Sequence, residues 1–319
     1  MTMSANKPKF SVAITTEKYQ TLVRNTLGDP NRAKRFVGAI TSAVAVNAAL
    51  QECDAGTILA GALLGESLNL SPSPQLGQYY LVPFECKVKG SDGKVIYRTD
   101  DKGNLLKDAR GRNVPLTESR AQFVLGYKGY IQLALRSGYY ADLDVMEIRE
   151  GEYLGKDSST GKPRFSFIED DEEREKLPVI GYMAYFEYLN GFKKTVYWSY
   201  KKMQEHADKY SPAYSAEAHR KILDGQIPDS EMWKYSSFWY KNFDEMAKKT
   251  MLRHLISRWG VMSTELQTVY DKDATALEID KDGNFVPTGD IIDDTIIPPG
   301  TQIPSGEVTA EEKVNLNEI

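Results

Sequence analysis

The sequence predicts an α+β fold: a small, mostly antiparallel sheet backed by helices that lie on either side of it in chain order. Three observations carry this. Residues 15–63 place apolar side chains at helical spacing, residues 78–199 hold alternating segments broken by turn signals, and the helical period returns from residue 200. At 319 residues the chain is long enough for a sizeable core. Its 41% hydrophobic and 27% charged shares are those of an ordinary globular protein, so neither a fibrous nor a wholly unstructured chain is expected.

In order, Thr15 and Thr16 stand where a helix through Leu27 needs a cap. Asp29-Pro30 opens a second helix to about Leu50, and Asp54 a third that ends before Pro72 and Pro74. Residues 39–50 carry little charge and must be buried, inside the domain or against another subunit. Residues 1–75 therefore form an N-terminal helical region suited to subunit contacts. Residues 78–88 alternate like a strand. Residues 89–118 carry three turn signals, at 91–93, 101–104 and 110–113, and form an inserted hairpin or loop. A strand at 120–125, a helix at 127–136 and strands at 142–149, 164–168, 180–189 and 195–199 follow, with Asn190-Gly191 as a hairpin turn. Helices are expected at 200–210, 216–223 and, unbroken, 238–259, where Gly260 stands ready for a left-handed cap.

The net charge of −5 divides unevenly. Residues 271–319 hold twelve acids and three bases, so this segment carries −9 and residues 1–270 carry +4. With Gly, Pro and Asp but no periodicity, 271–319 reads as a disordered acidic tail behind a mildly basic core at 76–270. Cys53 and Cys86 have no disulfide or zinc spacing. No apolar run follows Lys7 and Lys9, and no stretch nears the ~18 apolar residues that span a bilayer, so a cytoplasmic chain without membrane contact is expected.

Catalytic chemistry is hard to find. Gly151 to Asp157 is one residue too short for a phosphate cradle and lacks the Ser or Thr that would hold magnesium. His206, His219 and His254 sit in charged helical stretches without a nucleophile motif and read as surface or capping residues. The acidic run 169–173 reads as a solvated loop, and Asp142 and Asp144 share one strand face. A metal-dependent nuclease is thus a rival reading, and a DNA-free scaffold protein is another.

Two segments suit nucleic acid. Arg120 and Gln122 share a strand face, and Lys128, Gln132 and Arg136 make one polar helix stripe, cations for phosphates and amides for oxygens or base edges. Residues 234–260 interleave rings with bases, as single strands require, and point to Lys241, Lys248, Lys249 and Arg253; Trp198 ends a strand and is a further ring candidate. The plainer reading makes these an amphipathic helix, surface ion pairs of Glu245 with Lys249 and of Asp244 with Lys248, and core aromatics.

Residues 120–136 (Arg-Ala-Gln-Phe-Val-Leu-Gly-Tyr-Lys-Gly-Tyr-Ile-Gln-Leu-Ala-Leu-Arg), Gly181-Tyr182 with 190–198 (Asn-Gly-Phe-Lys-Lys-Thr-Val-Tyr-Trp), and 244–253 (Asp-Glu-Met-Ala-Lys-Lys-Thr-Met-Leu-Arg) together resemble the RecT family of phage and prophage recombinases. The likeness covers about residues 30–270. It implies a β-sheet core backed by a helix, as in eukaryotic annealing proteins. It also implies binding of single-stranded DNA and of the annealed duplex, assembly into rings or helical filaments, and annealing without ATP in DNA recombination and repair. Partners implied are a 5′→3′ exonuclease and the host single-strand binding protein. No cofactor and no catalytic residue is implied, with magnesium modulating annealing. DNA contact carries over to Gln122, Lys128, Gln132, Arg136, Lys248, Lys249 and Arg253. The 89–118 insert is longer than the family's usual connection.

Overall fold

A computed structural model describes residues 8–291, apart from 91, 109, 110, 212, 236, 274, 281–283 and 289. Helices α1 (Phe10–Ala13), α2 (Glu17–Leu27), α3 (Pro30–Val46) and α4 (Ala55–Ser67) come first. The hairpin β1 (Tyr79–Lys87) and β2 (Thr117–Leu125) leads into α5 (Tyr127–Arg136) and β3 (Tyr140–Arg149). Next come β4 (Tyr153–Lys156), β5 (Pro163–Phe165), α6 (Asp171–Lys176), β6 (Val179–Tyr188) and β7 (Lys193–Ser199). Then follow α7 (Tyr200–Tyr210), α8 (Ala216–Leu223), α9 (Phe238–Lys241), α10 (Phe243–Trp259) and α11 (Thr264–Lys272). The strands β8 (Thr275–Ile279), β9 (Phe285–Pro287) and β10 (Asp290–Ile291) end the described chain.

The α+β class stands, but the strands form separate antiparallel sheets. The largest runs β10-β1-β2-β8-β9, the second β3-β6-β7, and β4 pairs with β5 alone. Helix α4 lies on the first sheet. Ten of its thirteen residues are buried, because Ala, Gly, Ile and Leu leave no polar face to turn outward. Asp54 caps it by accepting from the Gly56 and Thr57 N–H groups. Helix α3, capped by Asp29, buries only the stripe Ala33, Phe36, Ile40 and Val44. Its other face, with Ala39, Ser42, Ala45 and Val46, is open. Helix α10 packs on β3, β6, β7 and α5 and so ties the second sheet to the first unit.

Several expectations need correcting. The described residues beyond 270 belong to the fold rather than to a tail: Asp273 is fully buried, and β8 pairs with β2 through Gln122–Ala276 and Phe123–Thr275. The boundary expected at 271 therefore falls within the core, and residues 292–319 lie outside the described residues. The helix expected over 238–259 breaks at Asn242, whose φ of −142° and ψ of 57° are not helical. Gly260 is not left-handed, with φ −83°; a Cβ there would press on the Ile256 carbonyl and the Tyr140 hydroxyl, so glycine is kept for space. The acidic run contributes to a short helix, α6, capped by Asp170. The histidines are not surface residues: His219 is 4% exposed and bonded to the Tyr214 hydroxyl, and His206 and His254 are half-buried.

The insert is a built element. Val88, Leu116 and Ile96 close a ring of three backbone hydrogen bonds, and Arg98, Val114 and Leu106 close a second, all at 2.8–2.9 Å. At the three turn signals matching backbone hydrogen bonds join Gly90 to Lys94, Asp100 to Asn104 and Asp108 to Arg112, making three lobes, with Gly93, Gly103 and Gly111 each at positive φ.

Candidate nucleic-acid interface

The segment following β2 explains itself through its glycines. A Cβ on Gly126 would collide with the Gly77 carbonyl oxygen, and one on Gly129 with that of Gln78. Without side chains, the first turn of α5 lies directly on the start of β1, and the Gly126 N–H donates to Gln78 O at 2.9 Å. This sets Tyr127 and Lys128 beside Tyr80. Across from them, the break at Asn242 turns α9 against α10, bringing Phe238, Asn242, Glu245 and Met246 to the opposite wall of a cleft. Val82, Val124 and Leu125 form its floor.

Three half-buried rings, Tyr80, Tyr127 and Phe238, therefore face a cleft with cations around it. The Tyr80 and Phe238 centroids are 6.1 Å apart. The Lys128 and Lys248 ammonium groups stand 5.8 and 5.4 Å from the Tyr127 ring. Lys128 is exposed, as is Lys241, next in the chain to Asn242. Burial, reinforced by the Glu245 charge, raises the pKa of the Tyr80 and Tyr127 hydroxyls, which stay protonated as donors. Tyr80, Tyr127 and Phe238 were not singled out from the sequence as contacts; Tyr127 and Phe238 lie in the quoted segments and Tyr80 only in an expected strand, and no spacing rule joins residues 80, 127 and 238.

The ten expected contacts separate by environment. Lys128 and Lys241 are exposed, and Gln132 is half-buried. Arg136 is exposed but donates to the Leu68 and Asn69 carbonyls at 2.9 and 3.0 Å, finishing the C-terminal end of α4. Arg120 is mostly buried and pairs with Glu118 and, at 3.5 Å, with Glu278. Lys248 is 3.0 Å from Glu147 and 3.6 Å from Glu245, which largely neutralise it.

The other four are turned inward, and their expected DNA contact is withdrawn. Gln122 is 1% exposed, on the face of β2 that enters the core. Trp198 is covered by His206, His254 and Lys202. Lys249 and Arg253 point not to solvent but to Asp273, at 3.0 and 3.1 Å. Asp273 also accepts from the Leu125 N–H at 2.8 Å and the Tyr130 hydroxyl at 3.2 Å. Glu245 and Asp244 make other partners than expected, Lys248 and Tyr182.

Among the described residues, no three His, Cys, Asp or Glu side chains converge to hold a metal ion. Asp142 and Asp144 are exposed on β3, opposite Glu187 and Tyr185. No described helix is long and apolar enough to cross a membrane.

An α+β chain whose cleft joins partly exposed rings to lysines has the makings of a binder of single-stranded nucleic acid. The RecT family profile matches residues 34–287, and the chain belongs to that family, whose members anneal single strands in recombination. It is 32% identical over 250 residues to the uncharacterized protein YqaK of Bacillus subtilis strain 168, covering 78% of this chain and 67% of that one. It is 25% identical over 259 residues to the protein RecT of Escherichia coli K12, covering 81% of this chain and 78% of that one.

Proposed function

We propose that this chain holds single-stranded DNA in the cleft between α5 and α9–α10 and anneals it to a complementary strand without ATP, acting as an oligomer. The observation that carries this reading is the meeting of Tyr80, Tyr127 and Phe238 at one cleft, with exposed Lys128 over the Tyr127 ring and exposed Lys241 next in the chain to the lining residue Asn242. Rings offer stacking to any base, and cations track phosphates without reading sequence. A strand held by its backbone presents base edges to a partner strand, and stacking of about 1.4 kcal/mol per step drives pairing without nucleotide hydrolysis. The +4 of residues 1–270 is modest, so affinity builds from many protomers along one strand. The open face of α3, with Ala39, Ser42, Ala45 and Val46, is suited to contact between protomers. Magnesium screens the approaching phosphates and so modulates the rate, while no cofactor is needed. A 5′→3′ exonuclease that exposes the strand and the host single-strand binding protein are the partners proposed.

The test is annealing of two labelled complementary oligonucleotides without ATP, with and without magnesium, beside a Lys128→Ala/Lys241→Ala variant. Acceleration by the wild type and weaker strand binding by the variant are expected, with strand lengths intact. No acceleration sinks the reading, and strands shortened in magnesium replace it with a nuclease.

A further inference from the structure

At the far end of α10 from the cleft, five rings form a row: Trp259, His254, Trp198, His206 and Tyr210. Successive centroids are 5.9, 4.7, 5.1 and 4.6 Å apart. Lysines lie over the first, third and fifth: Lys194 at 4.3 Å from Trp259, Lys202 at 4.4 Å from Trp198, and Lys209 at 5.1 Å from Tyr210. The arrangement follows from local periods. Lys194 and Trp198 alternate on β7, while Lys202, His206 and Tyr210 recur every four residues on α7, as do His254 and Arg258 on α10.

The charge here differs from that of the cleft. Lys202, Lys209 and Arg258 are exposed, and no carboxylate pairs with them or with Lys194 among the described residues. His206 is held down to about 4 by burial first and then by His254, Lys202 and Lys209, and His254 to about 4 by burial first and then by Arg258 and Lys202. In a chain of net charge −5, these cations form no ion pair among the described residues, although Glu205 and Asp208 share α7 with Lys202 and Lys209. Tyr210 is 39% exposed and Trp259 half-buried, so both ends of the row present ring surface beside a lysine. Phosphates with free base faces meet both needs, whereas a duplex hides its base faces.

We propose that this face binds a second single strand of DNA while the cleft holds the first. The inference rests on the reading of the cleft given above. Asn242 at the cleft and Arg258 at the row are separated by roughly 24 Å of helix, at about 1.5 Å per residue. One helix thus carries both strands on one protomer, so the second strand is concentrated beside the first and reaches it from the row rather than from bulk solution.

The test uses the full chain and a Lys194→Ala/Lys202→Ala/Arg258→Ala variant, with a labelled oligothymidine for first-strand affinity, stoichiometric titration for total strands bound, and complementary oligonucleotides for annealing. First-strand affinity within about twofold of wild type is expected, with fewer strands bound at saturation and annealing slowed about tenfold. The log–log salt slope of second-strand capture falls by about 2, at about 0.7 per lost phosphate contact on a single strand. Lys202→Arg retains wild-type annealing. Unchanged annealing and stoichiometry overturn the proposal, and so does a first-strand loss as large as the annealing loss, which assigns the row to the first strand's path. The cleft is probed separately: if Lys128→Ala/Lys241→Ala leaves first-strand affinity intact while the row variant abolishes it, the cleft reading fails. Should the triple variant not fold, the exposed single changes Lys202→Gln and Arg258→Gln give the same readouts at smaller amplitude.

Discussion

Asp273 receives a backbone N–H, a tyrosine hydroxyl and two cations at a site with no access to water. Burial lowers the pKa of Lys249, so its ammonium form depends on this one carboxylate. Removing one partner of a buried pair costs about 3–5 kcal/mol, because it strands the remaining charge. Asp273→Asn should therefore lower the unfolding free energy by about that amount in a urea titration, whereas Lys128→Ala should leave it within about 0.5 kcal/mol. The histidine pair gives a pH dependence. Both begin at 6.5 and sit at about 4 in the fold, so folding favours the neutral form. That contribution is complete above about pH 6.5 and is lost as pH falls from there towards 4. The thermal midpoint should drop over this window, and a His206→Gln/His254→Gln variant should drop less steeply; equal slopes refute the assignment.

Among elements, the junction of β1 with α5 is the most constrained. Gly129→Ala places a methyl group against the Gln78 carbonyl oxygen, which is backbone and cannot step aside. Helix α5 would have to lift from β1, and a loss of about 1–3 kcal/mol is expected, with weakened strand binding because Tyr127 and Lys128 move too. The three-lobed insert behaves differently. Ile96, Tyr97, Leu105 and Leu106 are each at least 41% exposed, and Val88 already bonds directly to Leu116. Replacing residues 90–114 with a two-residue turn should leave the thermal midpoint within a few degrees, since little apolar area is lost from the core. A collapse of the fold on this excision would show that the lobes support the large sheet.

For the whole molecule, the position of Asp273 decides where the chain can be cut. Ending it at residue 270 removes the buried carboxylate and β8, and should leave a chain that does not complete its denaturation transition. Ending it at residue 291 keeps both and removes six of the acids with one lysine. If that acidic segment competes with DNA, the shortened chain should bind oligothymidine more tightly at low salt, with the difference vanishing at high salt. Equal affinity at low salt excludes competition.

The sequence by itself determined most of the helices, the strands β1, β2, β3, β6 and β7, and what class of protein they make, but not the strands after residue 271. Asp29, Asp54, the Asn190-Gly191 turn and the alternation of β1 and β6 depend on neighbours a few residues away, so their physics is local. The family was legible for the same reason, in runs such as Gly126-Tyr-Lys-Gly129 whose glycines suit one close packing. Only the tertiary structure decided which charges face water. Lys128 and Lys249 look alike as helical lysines, yet one is exposed and the other meets a carboxylate 24 residues further on. No period in the sequence connects Tyr80 with Phe238, or His206 with His254. Burial and pairing are set by which surfaces meet, and the energy of a charge depends on that meeting far more than on its place in the chain.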